Sequence, residues 1–241
     1  MMRSLLVAIG FLTRLPVPAG VFDDERAKAH SLAWYPLVGL LIGVVLAMLA
    51  WLLRNSPMVL SATLIVLAWV LMTGALHLDG LADSADAWVG GLGDREKTLA
   101  IMKDPRSGPA GVVALILVLL LKVAAIQSLG TFQWLALLLA PLLARASLVS
   151  LFITTPYVRS RGLGAALANA PGRACAISLA MTAGLCALAK WRGALALLVA
   201  VLVFGLWRHA CQRRLGGFTG DTAGALAEMV EAAVLVALAV H

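Results

Sequence analysis

Apolar residues are gathered into seven long runs along this chain, separated by short polar segments. A run of about 20 apolar residues crosses the roughly 30 Å hydrocarbon layer of a membrane as a helix. The runs are rich in Ala, Leu and Val, and they lack the alternation of a membrane β-barrel strand. They predict an all-α fold, a polytopic transmembrane helical bundle that forms one domain over residues 1–241. The predicted spans are 33–53, 57–78, 110–129, 133–153, 174–189, 193–207 and 222–240.

Two further features refine this pattern. Near the N-terminus, the apolar run from Leu5 to Leu12 is too short for a span, and it predicts an interfacial or re-entrant helix within residues 4–18. Within the first span, Gly39 and Gly43 are four residues apart, a spacing that allows another helix to approach closely. Incidental composition is the alternative explanation for the glycine pair.

Composition and charge agree with a membrane protein. The chain is 62% hydrophobic and 13% charged, whereas about a quarter of a soluble domain is charged. The net charge of +7 does not indicate nucleic-acid binding, because the basic residues lie in short loops and form no continuous basic face.

The basic residues predict the orientation of the chain. With the N-terminus in the cytoplasm, 14 of the 19 Lys and Arg residues lie in inside segments, three lie outside, and two lie within spans. Because basic residues concentrate on the cytoplasmic side, this distribution predicts an inner-membrane protein with its C-terminus outside. The loops 79–109, 154–173 and 208–221 then face the cytoplasm, and we expect the active site there.

Acidic residues are rare, yet Asp79, Asp83 and Asp86 lie within eight positions. Their spacing places them on one face of a helix, where like charges repel. A bound divalent cation such as Mg²⁺ would relieve that repulsion. The alternative is a solvated polar face, which predicts interleaved Lys or Arg, but none occurs between His77 and Val89.

Two other inside segments carry polar residues immediately before a span. Asp104 and Arg106 precede Ser107 and Gly108, and the helix that opens there offers free N–H groups to a phosphate. The other segment contains Thr219, Gly220 and Asp221. Glycine and proline also mark ordinary helix starts, and Thr219 could simply cap its helix.

Charged residues within the spans are expected to be paired or functional. Lys122 and Arg145 are such residues, and their candidate partners are either the acidic cluster or Glu228 and Glu231 in the last span. His77 could ligate a metal, act as a base, or be structural.

The chain resembles the cobalamin synthases, the adenosylcobinamide-GDP ribazoletransferases, over almost its whole length and in the same motif order. Phe218 and Pro105 stand where the family has small or polar residues, but neither replaces a charged group. The matching segments are Phe11–Pro18, Leu71–Gly74, His77–Asp86, Ile101–Asp104 and Gly216–Thr222.

The resemblance implies an Mg²⁺-dependent enzyme that joins adenosylcobinamide-GDP to α-ribazole, or to its 5′-phosphate, and releases GMP. It implies Asp79 and Asp83 as the leading metal ligands and catalytic residues, with His77 as a third catalytic residue. Asp86, Asp104 and Asp221 would complete the metal site. The expected substrate contacts are Lys103, Arg106, Ser107, Gly108, Arg145, Thr219 and Gly220.

The sequence also leaves two alternative functions open. A CDP-alcohol-type membrane phosphotransferase also uses aspartates at helix ends, although its Asp-x-x-Asp-Gly-x-x-Ala-Arg arrangement is missing here. A transporter is expected to have broken helices and charges near the bilayer midplane. The oligomeric state, including a homo-oligomer, is also left open.

Overall fold

The computed structural model describes residues 1–130, 133–159, 163–167 and 169–240. Within these residues the chain is α-helical, with short 3-10 turns, no β-strand, and one isolated parallel bridge. The all-α prediction is therefore confirmed. The helices are α1 (Met2–Leu12), α2 (Glu25–Ser31), α3 (Tyr35–Leu52), α4 (Met58–Thr73), α5 (Leu76–Gly90), α6 (Arg95–Ile101), α7 (Pro109–Ser128), α8 (Gln133–Thr154), α9 (Leu163–Leu167), α10 (Gly172–Leu188), α11 (Lys190–Leu215) and α12 (Gly220–Val240).

The predicted spans all coincide with helices. In the described ranges, five helical segments are long and apolar enough to cross a membrane, and α4 with α5 makes a sixth if this bent pair is one span. The fifth predicted run lies on α10, which has 17 residues and is shorter than these segments. The N-terminal helix α1 has 11 residues, which agrees with the short helix predicted there.

A sharp bend ends the second predicted span five residues early. Gly74 and Ala75 both adopt left-handed backbone angles, with φ of 61° and 58°, and they turn α5 by 90° from α4. Glycine at the end of a helix commonly adopts this conformation. Apolar residues continue past the bend, which is why the hydrophobic pattern alone extends the span to residue 78. The predicted loop 79–109 is instead occupied largely by α5 and α6.

The centre of the bundle is formed by α8 and α12, which are 78% and 67% buried over their apolar windows. The close helix contact predicted from the glycine pair occurs between α3 and α8. A Cβ atom on Gly39 would lie 2.3 Å from the Pro141 carbonyl oxygen, and one on Gly43 would lie 2.6 Å from that of Leu137. Larger side chains at these positions would force the two helices apart.

Candidate active site

The site begins where α5 crosses the start of α12 at glycine positions. A Cβ atom on Gly80 would lie 2.6 Å from the Asp221 carbonyl oxygen, and one on Gly224 would lie 3.2 Å from that of His77. The two backbones therefore touch directly. This contact places Asp79 and Asp83 on α5 beside Asp221 on α12.

A cavity of about 200 Å³ opens at this crossing, between α5, α8, α9 and α12. His77, Asp79, Gly220 and Asp221 line it, so the structure brings these four predicted residues together. The remaining walls are mainly apolar and aromatic, and include Phe11, Tyr35, Phe152 and Tyr157. The cavity thus combines carboxylates with surfaces on which planar or apolar groups can pack.

The carboxylates at the crossing are close enough to affect one another. Burial and the negative charges of Asp79, Asp221 and Asp86 raise the pKa of Asp83 to about 6. Asp221 accepts a hydrogen bond from Arg159 Nη2 at 2.6 Å. In the part of the chain that the structure describes, neither Asp79 nor Asp83 forms a salt bridge. The predicted excess of negative charge is therefore present.

The predicted set of five metal-binding carboxylates is not assembled. Across the described ranges, no group of three or more His, Cys, Asp or Glu side chains is arranged to hold a metal ion. Asp79, Asp83 and Asp221 lie at the crossing, whereas Asp86 and Asp104 have other partners.

Asp86 caps the first turn of α7. Its carboxylate accepts hydrogen bonds from the backbone N–H groups of Gly108, at 2.7 Å, and Gly111, at 2.9 Å. The first N–H groups of a helix have no partner within it and attract negative charge. The anion at this helix start is therefore Asp86 rather than the predicted phosphate, and Gly108 serves the cap.

The loop before α7 has its own ion pair. Arg106 donates to Asp104 through Nε, at 3.0 Å, and through Nη2, at 2.7 Å. These hydrogen bonds lower the pKa of Asp104 to about 2. The predicted metal ligand and the predicted substrate contact thus neutralise each other. Lys103 and Ser107, two other predicted contacts, are exposed on the same loop.

Thr219 has a structural position at the start of α12. Its hydroxyl accepts a hydrogen bond from the Thr222 backbone N–H at 3.2 Å, and the Thr222 hydroxyl accepts one from the Thr219 N–H at 2.9 Å. This reciprocal arrangement caps the helix, and Thr219 is fully buried. The capping alternative for Thr219 is confirmed, whereas Gly220 lines the cavity as a substrate contact would.

Next to the cavity, the charged residues within the spans form one cluster of ion pairs. Lys122 Nζ lies 2.7 Å from Glu228 and 2.5 Å from Glu231, and Arg145 forms a salt bridge with Glu231. The predicted pairing with the last-span glutamates is confirmed, and pairing with the surface carboxylates is not observed. Arg145 is completely buried, so it does not form part of the cavity wall where it was predicted to contact substrate.

His77 connects this cluster to the cavity. Its Nδ1 lies 3.3 Å from Arg145 Nη2. A guanidinium can only donate hydrogen bonds, so His77 Nδ1 must be the acceptor, and the proton of the neutral ring is on Nε2. In this arrangement Nε2 is the ring nitrogen that can donate a hydrogen bond, and the catalytic role of His77 stays a prediction.

Arg159 is the site residue that the sequence did not reveal. It lies 62 positions from Asp221, and no spacing rule joins the two. The available signal was its position in an inside loop that was expected to carry function.

Comparisons with known proteins agree with the motif resemblance. The family described as cobalamin-5-phosphate synthase matches residues 4–239. An adenosylcobinamide-GDP ribazoletransferase of Pseudomonas paraeruginosa is 56% identical over 240 residues, covering 99% of this chain and 98% of the relative. Proteins of the same name from Pseudomonas aeruginosa and Stutzerimonas stutzeri are 55% and 53% identical, and the alignments cover 98% and 99% of those proteins and 99% and 100% of this chain. No solved structure matches the chain.

Proposed function

Because this chain belongs to the cobalamin-5-phosphate synthase family, we propose that it joins adenosylcobinamide-GDP to α-ribazole and releases GMP. The observation that carries the proposal is the cavity at which aspartates from two helices meet, in a chain 56% identical to a curated ribazoletransferase. The family's description names a phosphorylated cobalamin, which supports α-ribazole 5′-phosphate as an acceptor. With that acceptor the product is adenosylcobalamin 5′-phosphate.

The reaction forms one P–O bond and breaks another. A ribose hydroxyl oxygen attacks the phosphorus nearest the cobinamide, the bond from that phosphorus to the bridging oxygen breaks, and GMP leaves with that oxygen. The hydroxyl proton passes to a carboxylate. Asp83 suits this role because its pKa of about 6 is near the operating pH, which favours a general base.

The donor set at the cavity fits Mg²⁺. Asp79 and Asp221 line the same cavity from two helices, and Mg²⁺ is usually held by one or two carboxylates together with water and substrate phosphates. A site of this kind does not need three protein ligands. The bound ion would neutralise charge on the diphosphate and on the departing GMP. The protein's own part is to hold the two substrates in line.

The membrane and the orientation of the chain can also be proposed. We place the chain in the inner membrane with the cavity facing the cytoplasm, supported by the 14-to-3 distribution of basic residues. The starts of α5 and α12 and the end of α8 meet at the cavity, and all three lie on the predicted inside face. Reporter fusions after residue 92 and at the C-terminus should report opposite sides of the membrane, and the same side for both would refute this orientation.

The decisive experiment is an assay for GMP release from adenosylcobinamide-GDP and α-ribazole, with and without Mg²⁺. Purified wild-type chain should release GMP and form a cobalamin, whereas Asp79→Asn and Asp83→Asn should lose most of that activity. Full activity in both variants would refute the roles of the carboxylates. No release by the wild type with either acceptor would refute the transferase, and turnover of a CDP-alcohol would favour the other phosphotransferase class.

A further inference from the structure

Arg159 supplies positive charge at the carboxylate site and, among the described residues, donates a hydrogen bond to Asp221. Its Nη2 donates to Asp221 at 2.6 Å, while its Nε is buried and has no hydrogen-bond partner among the residues whose structure is described. A guanidinium carries five N–H donors. The Arg159 side chain is also 30% exposed, so a ligand can reach it.

The position of Arg159 is fixed by the backbone on its N-terminal side. Phe218 N–H donates to the Pro156 carbonyl oxygen, and Val158 N–H donates to the Phe218 carbonyl oxygen, both at 2.9 Å. A Cβ atom on Gly217 would lie 2.2 Å from the Pro156 oxygen, so this pairing requires glycine there. These two hydrogen bonds join the segment before Arg159 to the segment before Asp221. The backbone therefore brings Arg159 and Asp221 together independently of their salt bridge.

Two of the three basic residues predicted to contact substrate already have acidic partners, and the third, Lys103, is exposed on the loop before α7. Arg106 gives two hydrogen bonds to Asp104, and Arg145 is buried against Glu231. Arg159 is thus the described cation best placed to meet an anion that enters beside Asp79 and Asp221.

From this geometry we propose that Arg159 binds the diphosphate of the nucleotide substrate, exchanging its salt bridge with Asp221 for phosphate oxygens. The planar fork of a guanidinium matches two such oxygens and makes short, charge-assisted hydrogen bonds to them. The exchange frees Asp221 to face the cation that accompanies the diphosphate. This inference rests on the proposed function, since it names the residue that recognises the substrate of that same site.

The test compares Arg159→Gln, Arg159→Lys and the control Arg213→Gln in the full-length chain, reconstituted in nanodiscs. Arg213 is an exposed arginine in the last turn of α11. We expect Arg159→Gln to raise the KM for adenosylcobinamide-GDP about 10- to 100-fold, the loss typical of a charged hydrogen bond, with a much smaller change in kcat. Inhibition by inorganic pyrophosphate should weaken by a similar factor. Arg159→Lys should be intermediate, and Arg213→Gln should match the wild type.

The outcomes separate this inference from the proposed function. If the wild type turns over and the KM of Arg159→Gln stays within twofold of it, the inference is overturned and the transferase stands. If Arg159→Gln does not fold, Arg159→Lys decides: a KM raised several-fold supports the inference, and a wild-type KM overturns it.

If the wild type releases no GMP, the proposed function fails, and the inference is judged from protection against thermal unfolding by pyrophosphate with Mg²⁺. Protection that is lost in Arg159→Gln and kept in Arg213→Gln supports it. Equal protection in both variants, or none in the wild type, overturns it.

Discussion

The ionised form of Asp83 has a higher free energy in the folded protein than in the unfolded chain. Its pKa rises from 3.8 to about 6, first because it is partly buried and then because Asp79, Asp221 and Asp86 repel it. An acid with a raised pKa costs folding free energy once it ionises. That cost is absent below about pH 4, develops up to about pH 6, and is complete above it.

At the residue scale, we therefore expect Asp83→Asn to be more stable and less active than the wild type. Without divalent cations at pH 7.5, the gain should be about 1 kcal/mol after allowance for solvent screening, or roughly 2–4 °C in Tm. GMP release should fall at least about 100-fold if Asp83 accepts the proton. Differential scanning fluorimetry at pH 7.5 and at pH 4 measures the first effect, which should vanish at the lower pH. A lower Tm at pH 7.5 would contradict this account.

At the scale of the element, the three aspartates of α5 lie beside two different neighbouring helices. Asp79 and Asp83 lie at the crossing with α12, whereas Asp86 reaches the start of α7. The sequence predicted one shared role for all three, because their spacing is a property of α5 alone. Their separation depends on which helix packs beside each turn.

For Asp86→Ala we expect a loss of stability with the site intact. The cost of a lost helix cap is roughly 0.5–2 kcal/mol, and Asp86→Asn should lose less because its amide oxygen still accepts one N–H. Tm in EDTA, and its increase upon addition of Mg²⁺ with pyrophosphate, give the two readouts. If the metal-free Tm is unchanged and only the Mg²⁺ effect disappears, Asp86 is a metal ligand after all.

Gly80→Ala should separate α5 from α12 and disable the site. The added methyl would meet the Asp221 backbone at 2.6 Å, and backbone cannot rotate away as a side chain can. The matched control is Gly184→Ala on α10, where no atom lies within 4 Å of the new methyl. GMP release should fall at least about tenfold in the first variant and stay at the wild-type level in the second. Equal activity in both would mean that the close crossing is not needed for function.

At the scale of the whole molecule, the buried charges join particular helices. The hydrophobic pattern alone does not determine which of the apolar helices are neighbours. Lys122 on α7, Arg145 on α8, and Glu228 with Glu231 on α12 form one network, and Lys122 also lies over the Trp69 ring of α4 at 4.6 Å. A buried ion pair adds little net stability, but removing one partner leaves a charge without compensation. The network therefore specifies which helices pack together.

Lys122→Met should destabilise the protein by about 3–5 kcal/mol, because two buried glutamates would then share one cation. Lys122→Met with Glu228→Gln restores a balanced charge and should recover part of that loss. Unfolding of the purified chain in detergent, followed for both variants and for Glu228→Gln alone, completes the double-mutant cycle. A double variant no more stable than Lys122→Met would show that charge balance is not the reason for the pairing.

Helical periodicity and the cost of placing charge in lipid made part of this structure predictable from the sequence. The helical spans, the shared face of Asp79 and Asp83, and the intramembrane pairs follow from periodicity and from the cost of charge in lipid. The bend after Thr73 was missed because hydrophobicity does not report backbone angles. Arg159 and the cap formed by Asp86 were missed because their partners lie 62 and 22 to 25 positions away.

Ionisable groups within a membrane can relay protons across it. Here Arg145 stands between His77, at the cavity, and Glu231, below it. Arginine does not release its proton at physiological pH, so a hydrogen-bonded path that begins in the cavity stops at this residue. The same guanidinium that orients the imidazole thus keeps protons in the cavity from reaching the buried glutamates, and this chain of contacts gives protons no route across the membrane.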